Sequence, residues 1–184
     1  MSGFVDYFRS LTVLSDFRLA HDFDIDGVEK NGRFMGRSIY WKLYFVENVL
    51  RIIINSVLSA QISPDWWKVA VAQKIQDEVE WVRLDYLKHR EHTYPGRHGI
   101  YYVYLRNLGD IIRDNADLFA PLIPDIDDWV VKIEQVRLPR NIVGHMNFLS
   151  RRDQKRIDVL FGECKTLMNS LQSSGKLAMK IPEV

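Results

Sequence analysis

At 184 residues the chain is long enough for one domain with a proper core, and 47% hydrophobic residues with 12% aromatics exclude a disordered or low-complexity protein. Its 25 Lys and Arg stand against 24 Asp and Glu, so a formal net charge of +1 makes no case for a nucleic-acid partner; only a local imbalance can. A single cysteine, Cys164, excludes an internal disulfide and fits a reducing compartment.

MSGFVDYFRS has no basic stretch followed by an apolar run, so no signal peptide is expected and the chain reads as unprocessed and cytoplasmic. FVDYFRSLTVLSDFRLAH predicts a separate N-terminal helix, and DFDIDGVEKNG its polar connection. Val46, Val49, Leu50, Ile53 and Val57 then recur at the spacing of one helix face. That helix should start near Arg33 or Ser38 and end near ISPDWW. Pro64 discourages continuation, and Asp65 offers a cap for a helix through Val69, Ala72, Ile75, Val79, Val82 and Tyr86. HREHTYPGRHG, with Pro95, Gly96 and Gly99, is a loop.

YYVY favours extended backbone but has no second strand to pair with, so it predicts an extended lead into a helix holding Leu105, Leu108, Ile111 and Ile112. APLIPDIDDW is a connection. Ile126, Trp129, Val130, Ile133 and Val136 form the next helical face, which Pro139 is expected to end or bend, leaving a short helix for RNIVGHMNF. Ser150 and Asp153 resemble a capping box ahead of a last helix carrying Ile157, Leu160, Phe161, Cys164, Leu167, Met168 and Leu171. Charges interrupt every apolar stretch, so no segment is expected to span a bilayer. The predicted fold class is all-α. Residues 1–32 form the N-terminal helix and connection, 33–173 the helical domain, and 174–184 a flexible tail.

The charge imbalance lies in RLPRNIVGHMNFLSRRDQKR, where Arg137, Arg140, Arg151, Arg152, Lys155 and Arg156 face one acid, Asp153. Inside it, Arg140 and His145 are the candidate catalytic pair. An imidazole titrates near neutral pH, with an ordinary pKa of about 6.5, and can move a proton on or off a hydroxyl. A guanidinium grips phosphate oxygens as a fork. Together they suit cleavage of an RNA phosphodiester, whose 2′-hydroxyl is an internal nucleophile. Gly144 would leave room for a ligand. Against this, residues five apart on a helix point about 140° away from each other. The pair converges only if Arg140 lies in the first turn after a break at Pro139, or if a partner chain completes the site. A surface arginine and a satisfied histidine at a helix end remain the plainer reading.

Other features carry two readings each. Glu47 and Arg51, four apart, form a helix-surface pair or line a cleft. The bases at 151–156 read first as a solvated face; because they oppose the positive end of a helix dipole, a phosphate contact is the second reading. His89, His92 and His98 lack the partners of a metal site, and no metal or other cofactor is expected. Trp66 and Trp67 read as core before base-stacking platforms, and Cys164 as a small buried hydrophobe.

LPRNIVGH resembles the Arg-x(4–6)-His signature of the HEPN superfamily, in which a polar residue usually follows the arginine, here Asn141. YFVENVLRIIINSVLSAQISPDWW, YLRNLGDIIRDN and WVVKIEQVRLPRNIVGHMNFLSRRDQKRI resemble segments of one HEPN subgroup, found in bacterial defence proteins and in an endonuclease of eukaryotic messenger-RNA surveillance. The similarity covers roughly residues 38 to 172. It implies a HEPN-type helical bundle that forms a homodimer, with the motif helices meeting at one composite cleft. It also implies a metal-independent RNA endonuclease leaving a 2′,3′-cyclic phosphate and a 5′-hydroxyl, in antiviral defence or a toxin–antitoxin system. Carried over, His145 is the acid–base residue, Arg140 the phosphate binder and Asn141 a polar aid. Arg137, Arg151, Arg152, Lys155 and Arg156 would bind RNA. A partner antitoxin or defence protein is possible, and no membrane is involved. Some toxin members carry a tyrosine two places after the histidine, which the antitoxin modifies with AMP; Asn147 stands there instead. The alternative is a non-catalytic HEPN module that binds RNA, nucleotide or a protein partner.

Overall fold

An apolar residue every third or fourth position makes one-sided helices, and such helices are stable only where those sides meet. The computed structural model describes residues 25–89 and 91–173, and among them every regular element is helical, with no strand. The chain divides into two compact units, residues 1–34 and 35–184, two residues beyond the expected boundary. The expected helix over 4–21 and the tail 174–184 lie outside the described residues.

All but the last residue of α1 (Ile25–Met35) belong to the first unit, and the helix buries no side chain. It replaces most of the expected polar connection. Asp26 in its first turn suits the helix dipole, and Arg33 Nε donates to Glu29 Oε1 at 2.9 Å one turn away.

In the second unit, a π-helical stretch (Gly36–Tyr40) leads into α2 (Trp41–Gln61). Leu43, Val46, Leu50, Ile53, Ile54, Val57 and Leu58 of α2 are buried in the core. Contrary to the sequence expectation, the helical run Ile25–Gln61 is long and apolar enough to cross a membrane, with a mean hydropathy of 1.3 over its best window. Half of that window is buried inside the protein, as in a core helix.

The helix expected from Asp65 onward is split into a short α3 (Trp67–Ala70) and α4 (Gln73–Lys88). Between them Val71 is extended (φ −111°, ψ 130°) and buried. Val69 and Ala72, expected in the core, are exposed instead. The break leaves two carbonyls without helical partners, and side chains take them up. Asn115 Nδ2 donates to the Ala70 carbonyl at 2.9 Å and Gln76 Nε2 to that of Val71 at 2.8 Å.

Trp66 is fully buried, its indole donating to Asn55 Oδ1 at 3.2 Å, and Trp67 packs beside it. Gly99 is required here, because a Cβ would fall 2.7 Å from the Trp67 ring. His98 packs against both indoles, tilted over Trp66 and edge-on to Trp67, its Nδ1 accepting from the Ile100 N–H at 3.1 Å. Burial lowers the His98 pKa. The folded state therefore takes up this proton less readily than the unfolded one. Stability contributed here is full above about pH 6.5 and falls as pH drops from there through the lowered pKa. His98→Asn keeps an acceptor without the titration, and thermal melts of the two proteins are expected to diverge at pH 5 more than at pH 8.

The 3-10 turn (Gly99–Tyr102) and extended Val103 lead into α5 (Leu105–Asp114), followed by the short α6 (Ala116–Phe119). Then come α7 (Ile126–Gly144) and α8 (Arg151–Ser173). α7 packs on α5 and α8, and α2 on α8 and α5. Pro139 neither ends nor separates α7, which runs unbroken through it. The proline removes one backbone donor, but its ring is buried on the same stripe as Trp129, Ile133, Val136 and Val143. Cys164 is fully buried in α8, its thiol pushed up to about 12 by loss of solvent. It is a core side chain, as expected.

Candidate functional site

Arg140 stands four residues after Val136 and three before Val143, at the edge of the buried stripe of α7. Its side chain is therefore partly covered, 34% exposed, and reaches α2. There Arg140 Nε donates to Glu47 Oε1 at 2.8 Å. The other Glu47 oxygen accepts from Arg51 at 2.8 Å. Arg51 also donates to the carbonyls of Ile100 (3.3 Å) and Val103 (3.2 Å), tying the chain before α5 into the same network. Glu47 is 8% exposed, so its charge is held by two guanidiniums rather than by water.

α7 then ends. The N–H of Met146 bonds the Val143 carbonyl and that of Asn147 the Ile142 carbonyl, both crossing the helix end in a Schellman cap. Met146 has φ 58°, the left-handed position usually given to glycine. Among the described residues it is the one non-glycine with positive φ, and it is 91% exposed. Strain of this kind costs roughly 1–3 kcal/mol and gathers at functional sites.

His145 is the cap residue (φ −89°, ψ 16°), exposed, with no side-chain hydrogen bond among the described residues. Its N–H bonds the Asn141 carbonyl at 2.9 Å, and its own carbonyl accepts from Asn147 Nδ2 at 3.0 Å. Asn147 thus fastens the cap. Asn141 is exposed on the last turn of α7. A Cβ on Gly144 would stand 3.6 Å from Arg140 NH1, so the room beside the histidine borders on the guanidinium. The expected break at Pro139 is absent. Arg140 lies in the last turn of an unbroken helix, its fork runs along Gly144, and the next residue is the histidine.

The cap also fixes what is available for contact. Val143 is buried, whereas Phe148 is half-exposed and Leu149 anchors the loop in the core.

The other basic residues are not equivalent. Arg137 Nε is bonded to Glu134 at 2.6 Å and Arg156 to Asp153 at 2.7 Å. Ser150 caps α8, accepting the Asp153 N–H at 3.2 Å and donating its hydroxyl to the Asp153 carboxylate at 2.7 Å. That hydroxyl bond, with Arg156 and Arg152 nearby, lowers the Asp153 pKa. Arg151, Arg152 and Lys155 are exposed without an ion pair among the described residues. The loop 145–150 keeps them at the same end of the bundle as the His145 cap. Neutralising Arg151 and Arg152 together is expected to reduce the slope of log K against log salt for single-stranded RNA by about 1.4. An unchanged slope would make them a solvated face.

No group of three or more His, Cys, Asp or Glu among the described residues is placed to hold a metal ion. Sequence reasoning left Glu47 between two readings, though a signal was present: Glu47 is four after Leu43 and three before Leu50, within the apolar stripe of α2. A charge in such a stripe needs a buried partner. No known protein family, curated protein or solved structure matches the chain.

Proposed function

We propose that the chain is an RNA endonuclease of the HEPN type, with Arg140, Asn141 and His145 at its active site. The observation that carries this is the end of α7: Arg140 is held by its Nε, with NH1 beside Gly144 and an exposed histidine one residue further. The 2′-hydroxyl attacks the adjacent phosphorus as His145 takes its proton. The P–O5′ bond breaks, the 5′-oxygen is protonated, and the products are a 2′,3′-cyclic phosphate and a 5′-hydroxyl. Arg140 holds the phosphate oxygens as charge builds on them.

Base and acid are most simply two histidines, one from each copy of a homodimer. Exposed Met146, Leu138 and Phe148 near the cap, with Tyr40 just before α2 and Tyr44 in its first turn, are apolar surface that a second copy would cover. A cytoplasmic role in antiviral defence or a toxin–antitoxin pair fits this reading.

The Glu47 bond also supports a second reading. An arginine satisfied by a buried carboxylate can be structural, leaving a binding module for RNA, nucleotide or protein. End chemistry separates the two. With EDTA present, single-stranded RNA is expected to be cut to cyclic-phosphate ends while the same sequence with 2′-O-methyl groups stays intact. Equal cutting of both, or of DNA, would remove the mechanism; binding without cutting would select the module.

A further inference from the structure

A guanidinium bonded to a carboxylate brings little net charge to a phosphate beside it. Glu47 would cancel Arg140 in this way if the two were alone. They are not, because Arg51 occupies the second Glu47 oxygen and is itself fixed by the Ile100 and Val103 carbonyls. Two guanidiniums share one carboxylate, so the group keeps one positive charge in excess. Glu47 and Arg51 are well enclosed, their side chains 11% and 14% exposed, whereas that of Arg140 is 34% exposed. The excess charge thus meets solvent at Arg140. Its Nε is taken by Glu47 while NH1 lies against Gly144, before the exposed histidine.

Stability alone gives little reason for this arrangement. Buried ion pairs are weak stabilisers beside apolar packing of the same volume, and position 47 lies in an apolar stripe.

We propose that Glu47 and Arg51 are positioning residues for phosphodiester cleavage: Glu47 holds Arg140 by Nε so that its NH1–NH2 edge meets the reacting phosphate, and Arg51 offsets the Glu47 charge. This rests on the ribonuclease reading of Arg140 and His145. Neither residue touches substrate. The loop 99–104 takes part through its two carbonyls.

The test is single-turnover cleavage of RNA, with binding of the 2′-O-methyl RNA and a melting curve measured for each protein. Glu47→Gln replaces one of the two accepting oxygens with an NH2 donor, so Arg51 and Arg140 can no longer each hold an oxygen of their own. It is expected to slow cleavage about 100-fold, the scale of a misplaced reacting group, with 2′-O-methyl RNA bound within about threefold of wild type. In an Arg140→Ala background the same change is expected to cost less than about threefold, because nothing is left to position. Arg51→Met removes the offsetting charge, and Arg51→Lys is expected to recover about tenfold of the loss. Should Glu47→Gln fail to fold, the Arg51 pair carries the test.

Full-rate cleavage by Glu47→Gln, or an equal loss with and without Arg140, would overturn the positioning role. So would Arg51→Lys cutting no faster than Arg51→Met. If wild type cuts, His145→Ala does not, and Glu47→Gln cuts at full rate, the positioning role alone falls. If wild type cuts no RNA, the ribonuclease reading falls and this inference with it.

Discussion

His145→Ala is expected to lower RNA cleavage about 10³-fold, the scale of losing a general acid–base group, while leaving the melting temperature close to wild type. The second half of that expectation comes from geometry. The ring is exposed and makes no side-chain bond among the described residues, and the cap it occupies is held by backbone bonds from His145, Met146 and Asn147. Alanine keeps all of those. A structural histidine would show the opposite pattern, with a large change in melting and little in rate. Mixing the inactive chain with wild type adds a second reading. If each cleft draws a histidine from both copies, activity per wild-type chain falls as mixed dimers form. Activity that simply dilutes, from a protein sedimenting as a monomer, would place the whole site within one chain.

The helical faces of α2, α5, α7 and α8 were legible because each repeats apolar residues at a helical period and buries them. Two features escaped this logic for local reasons. At Val71 one residue leaves the helix to reach the core, and it does so because Asn115 and Gln76 satisfy the freed carbonyls, which no window around Val71 reveals. At Pro139 the sequence rule is sound, but burial of the ring among Val136 and Val143 outweighs one missing hydrogen bond. The site was half-legible. Its residues sit in one short motif. What holds Arg140 lies 93 positions away on α2, and pairing at that separation is set by how helices dock rather than by any local pattern. The direction of the Arg140 fork was also hidden. Spacing on an ideal helix sets residues five apart on different faces, and it does not tell that a long side chain at position 140 lays its NH1 along the last turn at Gly144, one residue before the histidine.

Arg140→Ala is expected to lower the cleavage rate by about 10²–10³, as removal of a fixed charge from a developing oxyanion does, and no change of salt should restore it. Low salt strengthens every loose phosphate contact by retaining the counterion term. It can therefore repair a deficit in binding but not in stabilisation confined to the transition state. Arg140→Lys tests the geometry more sharply. A lysine keeps the charge but has one ammonium in place of five donors, and it cannot bond Glu47 through Nε while presenting a fork beside Gly144. It is expected to bind 2′-O-methyl RNA like wild type and to cleave RNA little better than alanine. Truncation at Arg140 also leaves Glu47 with Arg51 alone, still paired and still enclosed, so the loss of stability should be smaller than for an orphaned buried charge. A lysine variant that cleaves at the wild-type rate would show that position 140 supplies charge alone, and the Nε anchor would then play no part in the chemistry.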